Sequence, residues 1–133
     1  MTNMTYKQLC VTMADAIEKI EGYKPGTRAY GNHNPGNLWV GESPGKFKRI
    51  FPKVPIDKEG FLIFENYAAG RKALEKDILL KVLKGMTLEK FVYTYAPPNQ
   101  NNTENYIKLM TEFTGIARDK KLLDLVNNES KPA

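Results

Sequence analysis

The chain has 133 residues, enough for one domain with a reasonable core, and its 20 Lys and Arg against 15 Asp and Glu leave a net charge of +5. Such a surface is drawn to polyanions in general, and no helix-turn-helix, zinc-finger or RNA-binding signature narrows the choice to nucleic acid. One His and one Cys are too few for a soft-ligand zinc site, the acidic residues lack calcium-loop spacing, and no stretch is apolar enough to cross a bilayer.

The first predicted helix begins with Thr5 and Gln8 at capping-box spacing, and Leu9, Met13, Ala16, Ile17 and Ile20 then form one apolar stripe. Lone Cys10 lies on it as a core or boundary residue. Asp15 and Glu18 fall on the far side of the stripe, whereas Glu21 falls at its margin, on the last turn before Gly22. Residues 38–40, 47–51 and 61–64 are short, rich in β-branched and aromatic side chains and separated by Gly, Pro and Asp, so they predict a small antiparallel sheet. A second helix starts at Asn66 or Tyr67, buries Leu74, Ile78, Val82 and Leu83, and is closed by Gly85. Thr87 caps a third, which stops before Pro97 and Pro98. A fourth lies between Asn102 and Gly115 with Tyr106, Leu109, Met110 and Phe113 as its stripe. A short helix around 122–126 is expected on the outside, followed by a flexible tail at 127–133. The Lys-rich stretches at 46–53 and 81–84 read as solvated faces. The expected fold is α+β, a small mainly helical single domain over residues 1–126 with a short antiparallel sheet.

Residues 21–38, EGYKPGTRAYGNHNPGNL, concentrate turn formers and hydrogen-bonding side chains in one loop directly after a helix. Fixing such a loop is entropically costly, and loops of this kind serve as binding or catalytic surfaces. Half-burial at the stripe margin disfavours the charged form of a carboxyl, the preparation a general acid requires, which singles out Glu21. No phosphate-cradling glycine loop is present, and neither Ser43 nor Ser130 sits in a nucleophile elbow with His33.

Glu21 after a helix, then TRAYGNHNPGNL, then FLIFENYAAGRKAL at 61–74 and YAPPNQNNTENYIKLM at 95–110, resembles in ordered blocks a phage and bacterial branch of the lysozyme-like superfamily. The resemblance implies a lysozyme-like fold and a peptidoglycan-cleaving glycosidase, acting on the β-1,4 bond between N-acetylmuramic acid and N-acetylglucosamine. It departs at His33, where a run like NNNPGN would carry asparagine. Glu21 is then the general acid and base. Arg28, Asn34 and Asn37 either donate to the sugars or hold the loop in shape, and Tyr30 and Trp39 stack on sugar faces, with a place in the core as the alternative for Trp39. Tyr95 and Tyr106 resemble cleft-lining tyrosines of lytic transglycosylases; Tyr106 also belongs to a helix stripe, which makes Tyr95 the better candidate for catalysis.

Conventional retaining and inverting glycosidases need two carboxylates. Asp57 and Glu59 are the candidates for a second, ahead of Glu42 and Glu65, but none has a setting as distinctive as that of Glu21. The expectation is a lytic transglycosylase, with a hydrolytic muramidase using Asp57 or Glu59 as the alternative. A non-catalytic wall-binding or virion domain and a basic nucleic-acid module are the readings from other classes. No cofactor or metal is expected, the partner is the peptidoglycan glycan strand, and the protein is expected to be a monomer. The polar start predicts synthesis in the cytoplasm without a cleaved signal peptide, with the bacterial wall as the site of action and a phage or virion as a fitting source.

Overall fold

The computed structural model describes residues 4–40 and 50–127, so residues 47–49 of one predicted strand, Glu42, Ser43, Lys46, Ser130 and all but the first residue of the predicted tail lie outside the described residues. The chain divides into two compact units, one holding residues 4–20 and 75–127 and the other Glu21–Leu74.

In the first unit the capping box forms as its spacing requires. The Gln8 amide donates to Thr5 Oγ1 at 3.0 Å, and the Thr5 amide donates to Gln8 Oε1 at 2.9 Å. Helix α1, Tyr6–Glu21, then buries Leu9, Met13, Ala16 and Ile17 together with Cys10. Asp15 is exposed on the far side as the periodicity predicts, while Glu18 and Ile20 are both intermediate, so the stripe fades before the helix ends. Helix α3, Tyr67–Leu83, contributes Ile78 and Val82 to this unit's core. Its last residue, Leu83, is exposed rather than buried, because Val82 already takes the inward position and the next side chain turns about 100° away.

Thr87 caps helix α4, Leu88–Tyr95, by accepting from the Lys90 amide at 3.2 Å. Asn102 does the same for helix α5, Thr103–Thr114, which Gly115 closes in the left-handed conformation at φ 75°. Tyr106 and Met110 are buried in α5, as is Ile107. Phe113 is exposed, correcting its place in the stripe, and its ring lies 4.3 Å beneath Lys19 Nζ. The last element, a 3₁₀ helix at Leu122–Leu125, is not on the outside. Leu122, Leu125 and Val126 are buried, and backbone bonds stitch the segment in, with Leu122 donating to Met86 and Met4 donating to Leu125.

In the second unit, a short helix α2, Arg28–Gly31, forms within the loop read as irregular, capped by Thr27 Oγ1. The predicted sheet is absent among the described residues, and the fold is mainly helical with five α-helices there. Isolated antiparallel bridges stand in its place, joining Trp39 to Phe61 and Ile56 to Leu62. The physical reason lies at Asp57 and Pro55. Asp57 Oδ1 accepts from the Glu59 and Phe61 amides at 2.9 and 3.0 Å, so the Phe61 donor goes to a side chain, and Pro55, which has no N–H, ends the pairing after the Asp57-to-Phe61 and Ile63-to-Pro55 bonds. Of the predicted strand at 47–51, the two described residues are not extended strand.

Gly70, on the first turn of α3, fixes the course of the loop. A Cβ there would stand 1.9 Å from the His33 carbonyl oxygen and 2.8 Å from Pro35 Cδ, so only glycine lets the helix backbone reach the HNP segment.

Candidate active site

Glu21 is the last residue of α1 and is half-buried, and Gly22 follows it with φ 69°. Two residues on, Tyr23 stands in a cluster of three tyrosines, its ring centroid 5.1 Å from Tyr30 and 5.3 Å from Tyr67. Tyr30 is held by α2, whose cap accepts from its amide, and Tyr67 opens α3. Tyr30 and Tyr67 are each 41% exposed, so the cluster presents aromatic surface to solvent instead of closing a core.

The NPGN segment beyond it is held from within. Asn34 is fully buried; its Nδ2 donates to the Leu38 and Leu62 carbonyls at 3.1 and 2.9 Å, and its Oδ1 accepts from the Leu38 amide at 2.9 Å. Of the two roles open to Asn34, the structure gives it that of holding the loop. Asn37 adopts φ 48°, and its Oδ1 is enclosed with no hydrogen-bond donor among the described residues. His33 has φ 49°, a left-handed conformation in which Asn and His are enriched, which accounts for asparagine in the resembled pattern and for histidine being accepted here.

Arg28, first residue of α2, pairs with Glu59, and its guanidinium carbon lies 4.3 Å from the Phe61 ring centroid. Trp39 donates from Nε1 to the Glu59 carbonyl at 2.9 Å, with its ring 6.4 Å from Phe61, so it braces this turn. Asp57 accepts from Asn32 Nδ2 at 3.0 Å as well as from the two amides. Desolvation pushes its carboxyl upward, but the Phe61 amide, Asn32, the Glu59 amide and the Arg28 charge outweigh that and hold it below the ordinary aspartate range. Asp57 is thus engaged in the turn that carries it, and Glu59 by Arg28 of α2.

The other unit holds Tyr95 and Tyr106. Tyr95, the last residue of α4, is half-buried and stacks on Phe91 at 5.6 Å with the planes 9° apart; the buried Tyr106 lies 6.4 Å from it. Beside these rings is a pair that sequence reasoning missed. Lys81, read as part of a solvated stretch, is 5% exposed, and its Nζ lies 2.7 Å from both carboxylate oxygens of Asp77, itself 2% exposed. The i,i+4 spacing is visible in the chain, but its burial depends on partners distant in sequence. Tyr23 and Tyr67 were also missed; their place in the two tyrosine-bearing blocks is the signal that would have found them.

Cys10 is buried and its thiol is pushed up to about 11, by desolvation first and then by the Glu75 charge, which disqualifies it as a nucleophile near neutral pH. Among the described residues no group of three or more His, Cys, Asp or Glu could hold a metal ion, and no helix is long and apolar enough to cross a membrane.

No protein-family model matches the chain, and no solved structure matches it. Among curated proteins it is similar to Protein P5 of Pseudoalteromonas phage PM2, with 31% identity over 108 residues that cover 80% of this chain and 64% of that protein. The chain therefore spans less than two thirds of that relative's length. The relative comes from a phage, and its name states no activity.

Proposed function

We propose that the protein is a peptidoglycan-cleaving glycosidase that uses Glu21 as general acid and then general base, in the manner of a lytic transglycosylase. The observation that carries this reading is the half-buried Glu21 closing α1, followed within two residues by a solvent-facing tyrosine cluster. A carboxyl in that setting is suited to protonate a glycosidic oxygen, and exposed tyrosine faces suit the apolar faces of pyranose rings. The substrate bond is the β-1,4 linkage between N-acetylmuramic acid and N-acetylglucosamine, and the place of action is the bacterial wall.

Single-acid chemistry draws support from the fate of the other carboxylates. Asp57 organises a turn and Glu59 pairs with Arg28, so both candidates for a second carboxylate are already engaged. The muramyl 6-hydroxyl would then attack the anomeric carbon as Glu21 protonates the leaving oxygen and afterwards takes up the hydroxyl proton, giving a 1,6-anhydro end without consuming water. The test is release of soluble fragments from purified peptidoglycan, with their masses measured. Anhydro ends from the wild type and a loss of about 10²–10⁴-fold in Glu21→Gln are expected, the range of general acid catalysis. Hydrated reducing ends would replace the transglycosylase by a muramidase, and wild-type clearing by Glu21→Gln would remove Glu21 from the chemistry.

A further inference from the structure

We propose that the Glu21–Leu74 unit selects its ligand by charge: unmatched lysines on it attract the carboxylates of the peptides that the wall glycan carries, so that the protein prefers peptide-bearing strands to a neutral chain of the same sugars. The choice of glycan as the ligand rests on the glycosidase reading; the placing of the charge does not.

The net charge is not shared evenly between the two units. Nine of the 20 Lys and Arg and five of the 15 Asp and Glu lie in Glu21–Leu74, so four of the five net positive charges belong to that one stretch. The rest of the chain holds 11 basic against 10 acidic residues, and it matches charges internally, through Lys7 with Glu75, Lys81 with Asp77, and Arg118 with Glu89 and Glu104. In Glu21–Leu74, Arg28 is matched by Glu59, whereas Lys24, Lys53, Lys58 and Lys72 are exposed and have no carboxylate partner among the described residues. An excess of one sign gathered in one unit sets up an attractive field for a polyanion, reaching roughly 8 Å in physiological salt and summing many weak charges. Lys24 directly follows Tyr23 of the solvent-facing tyrosine cluster, which brings one of these charges to the surface proposed to meet the sugars. N-acetylated sugars are themselves neutral, so the field gains nothing from the glycan backbone and gains from carboxylates attached to it. The lysines supply attraction, and the proton transfers assigned to Glu21 do not pass through them.

The test compares two full-chain variants of equal net charge, both made on Glu21→Gln as parent so that the ligand is not consumed. One carries Lys24→Gln, Lys53→Gln, Lys58→Gln and Lys72→Gln; the other carries Lys84→Gln, Lys90→Gln, Lys108→Gln and Lys121→Gln, four exposed lysines of the other unit. Thermal melting first establishes that both fold, since exposed substitutions of this kind leave stability nearly unchanged. Binding is then measured to purified peptidoglycan, to the same material after amidation of its carboxylates, and to single-stranded DNA. We expect the first variant to bind peptidoglycan at least about tenfold more weakly than the parent and the second to stay within about twofold, with amidation weakening the parent at least about tenfold. Equal losses in the two variants overturn the assignment to Glu21–Leu74, and undiminished binding of the parent after amidation overturns the carboxylate as its target. Tighter retention of single-stranded DNA than of peptidoglycan makes nucleic acid the ligand and overturns the proposal. If the wild type releases no fragments while the binding differences hold, the glycosidase reading fails and the charge selection stands.

Discussion

All three polar functions of the Asn34 amide are used by the backbone around it, which makes this residue sensitive to the kind of change and not only to its size. Asn34→Ala should destabilise the protein by about 3 kcal/mol, because buried carbonyls and an amide lose partners. Asn34→Asp should be worse, since it turns a second acceptor toward the Leu38 and Leu62 carbonyls, and a melt in which Asp outlasts Ala would contradict this. His33 and its positive φ allow a second contrast. His33→Asn should leave stability within about 0.5 kcal/mol, whereas His33→Val should cost about 1–2 kcal/mol through the left-handed backbone. Asp57 has a pH signature. Its carboxyl is held below the ordinary value of 3.8, so the stability it lends is complete above that value and is lost as the pH falls through the lower folded one. Asp57→Asn should therefore flatten the acid limb of the melting curve while keeping most of the proposed glycosidase activity, and melts between pH 5 and 2 check it.

The helices show what is legible in a chain and what is not. Capping is local: Thr5 with Gln8, Thr87 with Lys90, and Asn102 with Asn105 are three residues apart, and each forms the bond its spacing implies. Burial is not local, so Lys81, Leu83, Phe113 and the 122–126 segment were placed on the wrong side of the surface boundary. The sheet failed for a related reason, because β-branched content at 61–64 says nothing of an aspartate side chain taking up the Phe61 donor. At the candidate site, the half-burial of Glu21 was legible from the margin of the α1 stripe, while the tyrosine trio required knowing where α3 returns. Gly70→Ala should test that return, with a cost of about 3 kcal/mol from the clash with the His33 carbonyl and a disturbed tyrosine cluster in near-ultraviolet circular dichroism. Helices α4 and α5 are further tied at the surface by Arg118, which binds Glu89 and Glu104, with the Tyr93 phenol also donating to Glu104. The hydrogen bond from Arg118, then that from Tyr93, brings the Glu104 carboxyl down to about 2 from 4.5. Stability from this exposed cluster is complete above 4.5 and lost as the pH falls through about 2, and salt screens it. Glu104→Gln should remove that dependence, and the wild-type effect should shrink in 0.5 M salt.

For the molecule as a whole, the net charge of +5 predicts that the proposed association with an anionic wall weakens as ionic strength rises. Pelleting with purified peptidoglycan across a salt series reads this directly. Chelation by EDTA should leave fragment release unchanged, and activity lost to EDTA and restored by zinc or calcium would contradict the proposed chemistry.

The path of the chain through its two units also orders events on the ribosome. Glu21–Leu74 is one unbroken stretch, complete as soon as Leu74 has emerged, whereas residues 4–20 belong with residues 75–127, and Met4 bonds to Leu125 and Asn127. At roughly 5–20 residues per second, α1 waits on the order of 5–20 seconds for the last of these partners. Through that interval the Leu9, Met13 and Ile17 side chains, fully enclosed in the finished fold, lack the partners that residues 75–127 supply. The nascent protein's vulnerable interval therefore lasts until residues 75–127 have emerged, and α1 is where a holding chaperone would be expected to bind.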